Sequence, residues 1–163
     1  MANEQPRLYF TFIFTFHSHP MKTFSLLAVL LGMLTAGALA AAPVPMTDFN
    51  KTLVAASNQQ KLAFILLGRS TCGICNATRA MIKEGRISVT NSDYVMADLN
   101  IDNPRTEAAF MRRYGKQKFG DTLPFVVITD PQGKLLASSG GPKNAAQWNA
   151  LLVSARRKTV PKG

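Results

Sequence analysis

Cysteine is scarce in this 163-residue chain. There are two, Cys72 and Cys75, too few for a scaffold held by several disulfides. Histidine is equally scarce, and both copies, His17 and His19, stand near the N-terminus. A processed chain without that end has no imidazole, which removes the commonest metal ligand and the usual general base. Charged residues make up only 17% of the chain against 47% hydrophobic ones, a balance that excludes wholesale disorder. No cysteine follows the apolar N-terminal run, so a lipid-anchored lipoprotein is excluded too.

That run, residues 22–42 (KTFSLLAVLLGMLTAGALAAA), has one lysine, an apolar stretch and then small residues. This is the pattern of a secretory signal, with Ala38-Leu39-Ala40 as the cleavage motif. Residues 21–40 are therefore expected to be a signal peptide, cut after Ala40, and the protein to be exported, to the periplasm if the host is bacterial. The rival reading is a membrane anchor through residues 22–42, since about 20 apolar residues span a bilayer. Gly32, Gly37 and the alanine cluster favour the peptidase. Met21-Lys22 begins a complete signal by itself, so residues 1–20 read as an extension that does not belong to the working protein.

Cleavage removes two of the 19 basic residues and one of the nine acidic ones, leaving 123 residues at net +9. That length suffices for one domain, at 41–163, with a real core. The basic residues are scattered, with one dense cluster at Arg156-Arg157-Lys158, and scattered charge reads as a solvated surface. An anionic membrane face or an acidic protein is the sharper alternative. Nucleic acid is not expected as a partner of an exported chain without a recognition motif.

Hydrophobic spacing lays out the rest. Phe49, Leu53 and Ala56 predict a helix over 47–58. Leu62 to Leu67 is a continuous apolar run ended by Gly68, as in a strand buried on both faces. Ile74, Ala77, Thr78, Met81 and Ile82 predict a helix ended by Gly85, and Tyr94 to Leu99 a second strand. Asn103 and Pro104 cap and open another helix. Residues 125–129 (FVVIT) form a third strand, Asp130-Pro131-Gln132-Gly133 a turn, and 134–138 its antiparallel partner. After Gly140-Gly141-Pro142 comes a last helix holding Trp148, Leu151, Leu152 and Ala155. The order α-β-α-β-α-β-β-α predicts an α/β fold with a mixed sheet of about four strands and helices on both faces.

The chemistry is expected at Cys72-Gly73-Ile74-Cys75. A helix N-terminus supplies unpaired N–H groups and about half a positive charge, which stabilises a thiolate and lowers a thiol's pKa below its free value of about 8.5. The i, i+3 spacing lets Cys75 resolve a mixed disulfide formed on Cys72. Cys72 is then the attacking thiol and Cys75 the resolving one, with Arg69 adding positive potential upstream. Three other readings compete. A zinc half-site lacks two further Cys or His ligands, and haem attachment needs a histidine where Asn76 stands. A structural disulfide remains open, although so small a loop gains little from closure. No cofactor is expected beyond the redox-active disulfide Cys72–Cys75, and no metal.

Over residues 61–152 the chain resembles the thioredoxin superfamily. Three features carry the likeness: LAFILLGRST leading into CGIC, the segment TLPFVVITDPQGK, and the α/β order. The resemblance implies a thioredoxin-like fold in which Pro124 is cis and faces the disulfide. The main chain of Leu123 would then pair with an extended substrate strand. Arg69, Thr71, Gly73 and Ile74 would make up the supporting loop. Two positions depart from the family's pattern. Thr71 stands where thioredoxin has tryptophan, and Leu66 where it keeps a buried aspartate that accepts the resolving thiol's proton. Water or another acid must then take that proton. Asp98 is the nearest acidic residue by element order, a structural role at a strand end being its other reading.

Gly73-Ile74 places neither charge nor imidazole between the thiols. The expected potential is therefore nearer thioredoxin's (about −270 mV) than the strong oxidant's (about −120 mV). The function expected from this is a monomeric reductase of protein disulfides, recycled by a membrane electron donor. The alternatives are an oxidase or isomerase, and a non-catalytic binding module with an inert disulfide.

Overall fold

The computed structural model describes residues 41–159. The extension at 1–20, the signal peptide at 21–40, His17 and His19 lie outside the described residues, as does all of the alternative anchor except its last two positions. Among the described residues, four helices and four strands follow the predicted order: α1 (Phe49–Gln59), β1 (Leu62–Gly68), α2 (Gly73–Lys83), β2 (Tyr94–Asn100), α3 (Pro104–Tyr114), β3 (Phe125–Thr129), β4 (Leu135–Gly140) and α4 (Ala145–Arg157).

The strands form one mixed sheet in the order β2-β1-β3-β4. β1 runs parallel to β2, antiparallel pairing joins β1 to β3, and the same joins β3 to β4. Alternation along each strand sorts side chains to two faces. Phe64, Leu66, Tyr94, Met96, Val126 and Ile128 point to a core shared with α2 and α4, where Met81, Ile82, Trp148 and Leu152 meet them. Ala63, Ile65, Leu67, Val95, Ala97 and Val127 point the other way, to Phe49 of α1 and Phe110 and Tyr114 of α3. β1 is thus buried on both faces, as its unbroken apolar run requires. Each fully buried aliphatic or aromatic side chain contributes roughly 1.5–3 kcal/mol.

Local chemistry sets the element ends. α1 starts at Phe49 instead of residue 47 because Asp48 caps it, accepting from the Lys51 N–H at 2.8 Å. Met46, just before the cap, pairs with the edge strand β2 through Met46 N–H to Met96 O and Asp98 N–H to Met46 O. α2 ends before Gly85, whose φ of 72° is the left-handed conformation that glycine adopts without strain. In the hairpin turn Asp130 Oδ1 accepts from Gln132 N–H and Lys134 N–H.

Candidate active site

β1 delivers the cysteines. Its last residue, Gly68, is buried, and the chain leaves the sheet through Arg69, Ser70 and Thr71 before α2 begins. Cys72 is the N-cap of α2, in an extended conformation (φ −82°, ψ 111°), and its Sγ accepts the Cys75 N–H at 3.2 Å. The sulfur thus occupies the place that a Ser or Asp oxygen takes in an ordinary cap. The loop before it is tied back to the helix: Asn76 Nδ2 donates to Ser70 O at 2.8 Å, and Arg79 Nη1 to Arg69 O at 3.2 Å.

The two thiols differ in their surroundings. Cys72 is partly exposed and Cys75 fully buried, both in the dithiol form. The Cys75 thiol donates to Cys72, and with the N–H groups of Cys75 and Ile74 it holds Cys72 below the ordinary thiol range. Burial, followed by that same shared hydrogen bond, pushes Cys75 above the ordinary range, against the opposing pull of the Arg69 main-chain N–H. The partly exposed thiol is therefore the one favoured as anion, and the buried one is favoured as neutral.

Thr71, Gly73 and Ile74, the chain neighbours of Cys72, lie at the surface, with Ile74 36% exposed. The side chain of Arg69 turns to Asp102 at 3.2 Å, half-exposed, and its tie to the cysteines is through the main chain. Pro124 follows a cis Leu123–Pro124 bond. Because Phe125 pairs with Leu67, Pro124 lies level with Gly68, at the sheet end from which the CGIC segment departs. Pro124 is buried and Leu123 half-buried.

Arg79 was not singled out by the sequence. Four residues after Cys75 on α2, it shares a helix face with that thiol. Its Nε and Nη2 bind Asp98 Oδ2 and Oδ1 at 2.7 and 2.8 Å, and Nη1 binds Asn76 Oδ1 at 2.8 Å. The i+4 spacing from Cys75 was the one signal available in the sequence. Asp98 itself stands on β2 as the parallel partner of Leu66, so the acid missing from position 66 is found one strand across. Among the described residues no group of three or more His, Cys, Asp or Glu converges as a metal site would require.

No protein-family model matches the chain, and no curated protein matches it. Solved structures do. A putative disulphide-isomerase from Bacteroides thetaiotaomicron is similar with a TM-score of 0.58 at 15% identity, covering 76% of this chain and 100% of its own. A mutant thioredoxin from Halobacterium salinarum gives 0.52 at 15% identity, over 74% and 95%. A DsbH oxidoreductase gives 0.51 at 17% identity, over 77% and 92%. With four helices around a four-stranded mixed sheet, the chain has the thioredoxin-like fold.

Proposed function

We propose that this protein is an exported thiol–disulfide oxidoreductase that reduces disulfides in other proteins. The observation that carries the reading is the asymmetry of the pair: Cys72 partly exposed, capping α2 and favoured as thiolate, Cys75 buried beside it and favoured as thiol. The thiolate of Cys72 attacks one sulfur of a substrate disulfide. That S–S bond breaks, and the departing substrate sulfur takes a proton from water. Cys75 then gives its proton to water and attacks Cys72 Sγ. The mixed disulfide breaks, Cys72–Cys75 forms, and the second substrate sulfur leaves and is protonated. Two electrons pass from the dithiol to the substrate.

The half-buried Leu123 offers its main chain to an extended substrate segment beside Cys72, and Pro124 supports that edge. A dithiol donor held in the membrane returns the electrons, a reading that rests on the compartment implied by residues 21–40. The protein acts as a monomer and needs no bound cofactor. Direction of electron flow is tested by the equilibrium between the purified protein and graded thiol–disulfide buffers. A potential near thioredoxin's, about −270 mV, is expected; one above about −180 mV, on the oxidising side of the scale, would point to an oxidase or isomerase. Cys75→Ala is expected to accumulate partner proteins disulfide-linked to Cys72, seen as reductant-sensitive bands on gels. A variant that traps none would leave only the non-catalytic binding module.

A further inference from the structure

The resolving step makes a demand that the cysteines alone do not meet. Cys75 must lose a proton in a buried place that favours its keeping it. Leu66, fully buried on the α2 face of β1, has no group to help. The cation that acts on Cys75 is Arg79. A Cβ built on Gly68 would lie 2.9 Å from Cys75 Sγ and 3.4 Å from Arg79 Nη2. Sulfur and guanidinium therefore flank one small space, left open because residue 68 has no side chain.

We propose that Arg79, clamped by Asp98, is the positioning residue of the resolving step, its guanidinium stabilising the charge that Cys75 Sγ acquires as it attacks the mixed disulfide on Cys72. The proposal rests on the thiol–disulfide reading above and adds the residue that makes its second half efficient. Four hydrogen bonds fix the guanidinium: two to Asp98, one to Asn76 Oδ1 and one to Arg69 O. Arg79 and Asp98 side chains are only 24% and 23% exposed, so water screens this charge less than a surface one. The influence is mutual. Arg79 favours the thiolate forms of both cysteines, and the cysteines favour the charged form of Arg79.

A cleft of about 300 Å³ lined by Ser70, Asn76, Arg79, Asp98 and Asn100 opens beside the guanidinium. It is wide enough to admit water. The groups acting on Cys75 are Cys72 and Arg79 from α2, Asp98 from β2 through Arg79, and the main chain of Arg69. The Arg69 guanidinium is taken by Asp102.

The test uses the full-length reduced protein and dithiobis(nitrobenzoate), which liberates one coloured thiolate when Cys72 attacks and a second when Cys75 resolves. In Arg79→Met the second release should slow by at least about threefold at neutral pH, more than the first, and its pH profile should move upward. Arg79→Lys, which keeps the charge, should recover most of the rate. Asp98→Asn leaves the charge but removes its clamp and should slow the second release as well, so the test stands even if Arg79→Met does not fold. A second release in these variants with the wild-type rate and pH profile overturns the proposal, as does a slowing without movement of the profile that Arg79→Lys shares in full. If wild-type protein releases no second thiolate, the oxidoreductase reading itself fails, a result distinct from an active wild type with indifferent variants.

Discussion

Two identical side chains three residues apart behave differently because one hydrogen bond and one burial boundary separate them. Cys72 accepts from the Cys75 N–H and from the Cys75 thiol at the helix start, which favours its anion; Cys75 is enclosed, which favours its neutral form. The consequence for pH has a definite sign. The reactive thiolate of Cys72 is lost as pH falls through a pKa lying below the usual thiol value. Alkylation of Cys72 by iodoacetamide should therefore reach its plateau at lower pH than a free cysteine, with Cys75 alkylated far more slowly throughout. A mass-spectrometric pH series on the reduced protein measures both. That Cys72 and Cys75 meet at a helix start was legible from their spacing and from the apolar strand and helical period on either side. Which arginine faces them was not. Arg69 is nearer in sequence but turns to Asp102, whereas Arg79 arrives by helical periodicity and meets an acid from another strand.

The elements owe their limits to caps that act over three or four residues. Asn103 shows the pattern: its side chain accepts from Arg105 N–H at 3.0 Å and Thr106 N–H at 3.3 Å, with Pro104 opening α3 behind it. Asn103→Ala should cost about 1 kcal/mol, within the range of about 0.5–2 kcal/mol for a lost N-cap. Urea unfolding should show the loss as a lower midpoint with an unchanged slope. Such signals are local, and for that reason the helices and strands could be read from the chain to within a residue or two. β4 shows where the remaining two residues come from. It runs to Gly140, beyond the expected end at 138, because Phe125 and Val126 at the start of β3 supply partners for Gly140 and Ser139. The pairing of Met46 with β2 was equally invisible, since its partners lie some fifty residues away in the chain and no hydrophobic period announces a single bridge.

At the scale of the molecule, the sheet separates two cores, and α4 closes the one that also holds the cysteine helix. Trp148, the single tryptophan, is fully buried there with Leu152 and Ala155, and the Lys143 ammonium lies 5.3 Å from its ring centre. Its Nε1–H has no protein partner. Trp148→Ala should destabilise the domain by about 3–5 kcal/mol, the range for deleting a large aromatic side chain from a core. The loss should appear as a falling urea midpoint followed by circular dichroism, since the variant has no tryptophan fluorescence.

What the sequence determined by itself is whatever depends on neighbours in the chain: the period of each element, the caps, the Asp-Pro-Gln-Gly turn and the Cys-Gly-Ile-Cys pair at a helix start. Apolar runs long enough to be buried on both faces even implied the layering, because such a strand has no stable place except between helices. Tertiary structure decided the rest, which depends on register. Pairing Leu66 with Asp98 sets a carboxylate on the face where α2 crosses, and that carboxylate, not an acid on β1, holds the Arg79 guanidinium on the side of Cys75. Strand register arises from the summed packing of two cores. No short stretch of sequence encodes that sum, and so the Arg79–Asp98 pair became visible only when the sheet was assembled.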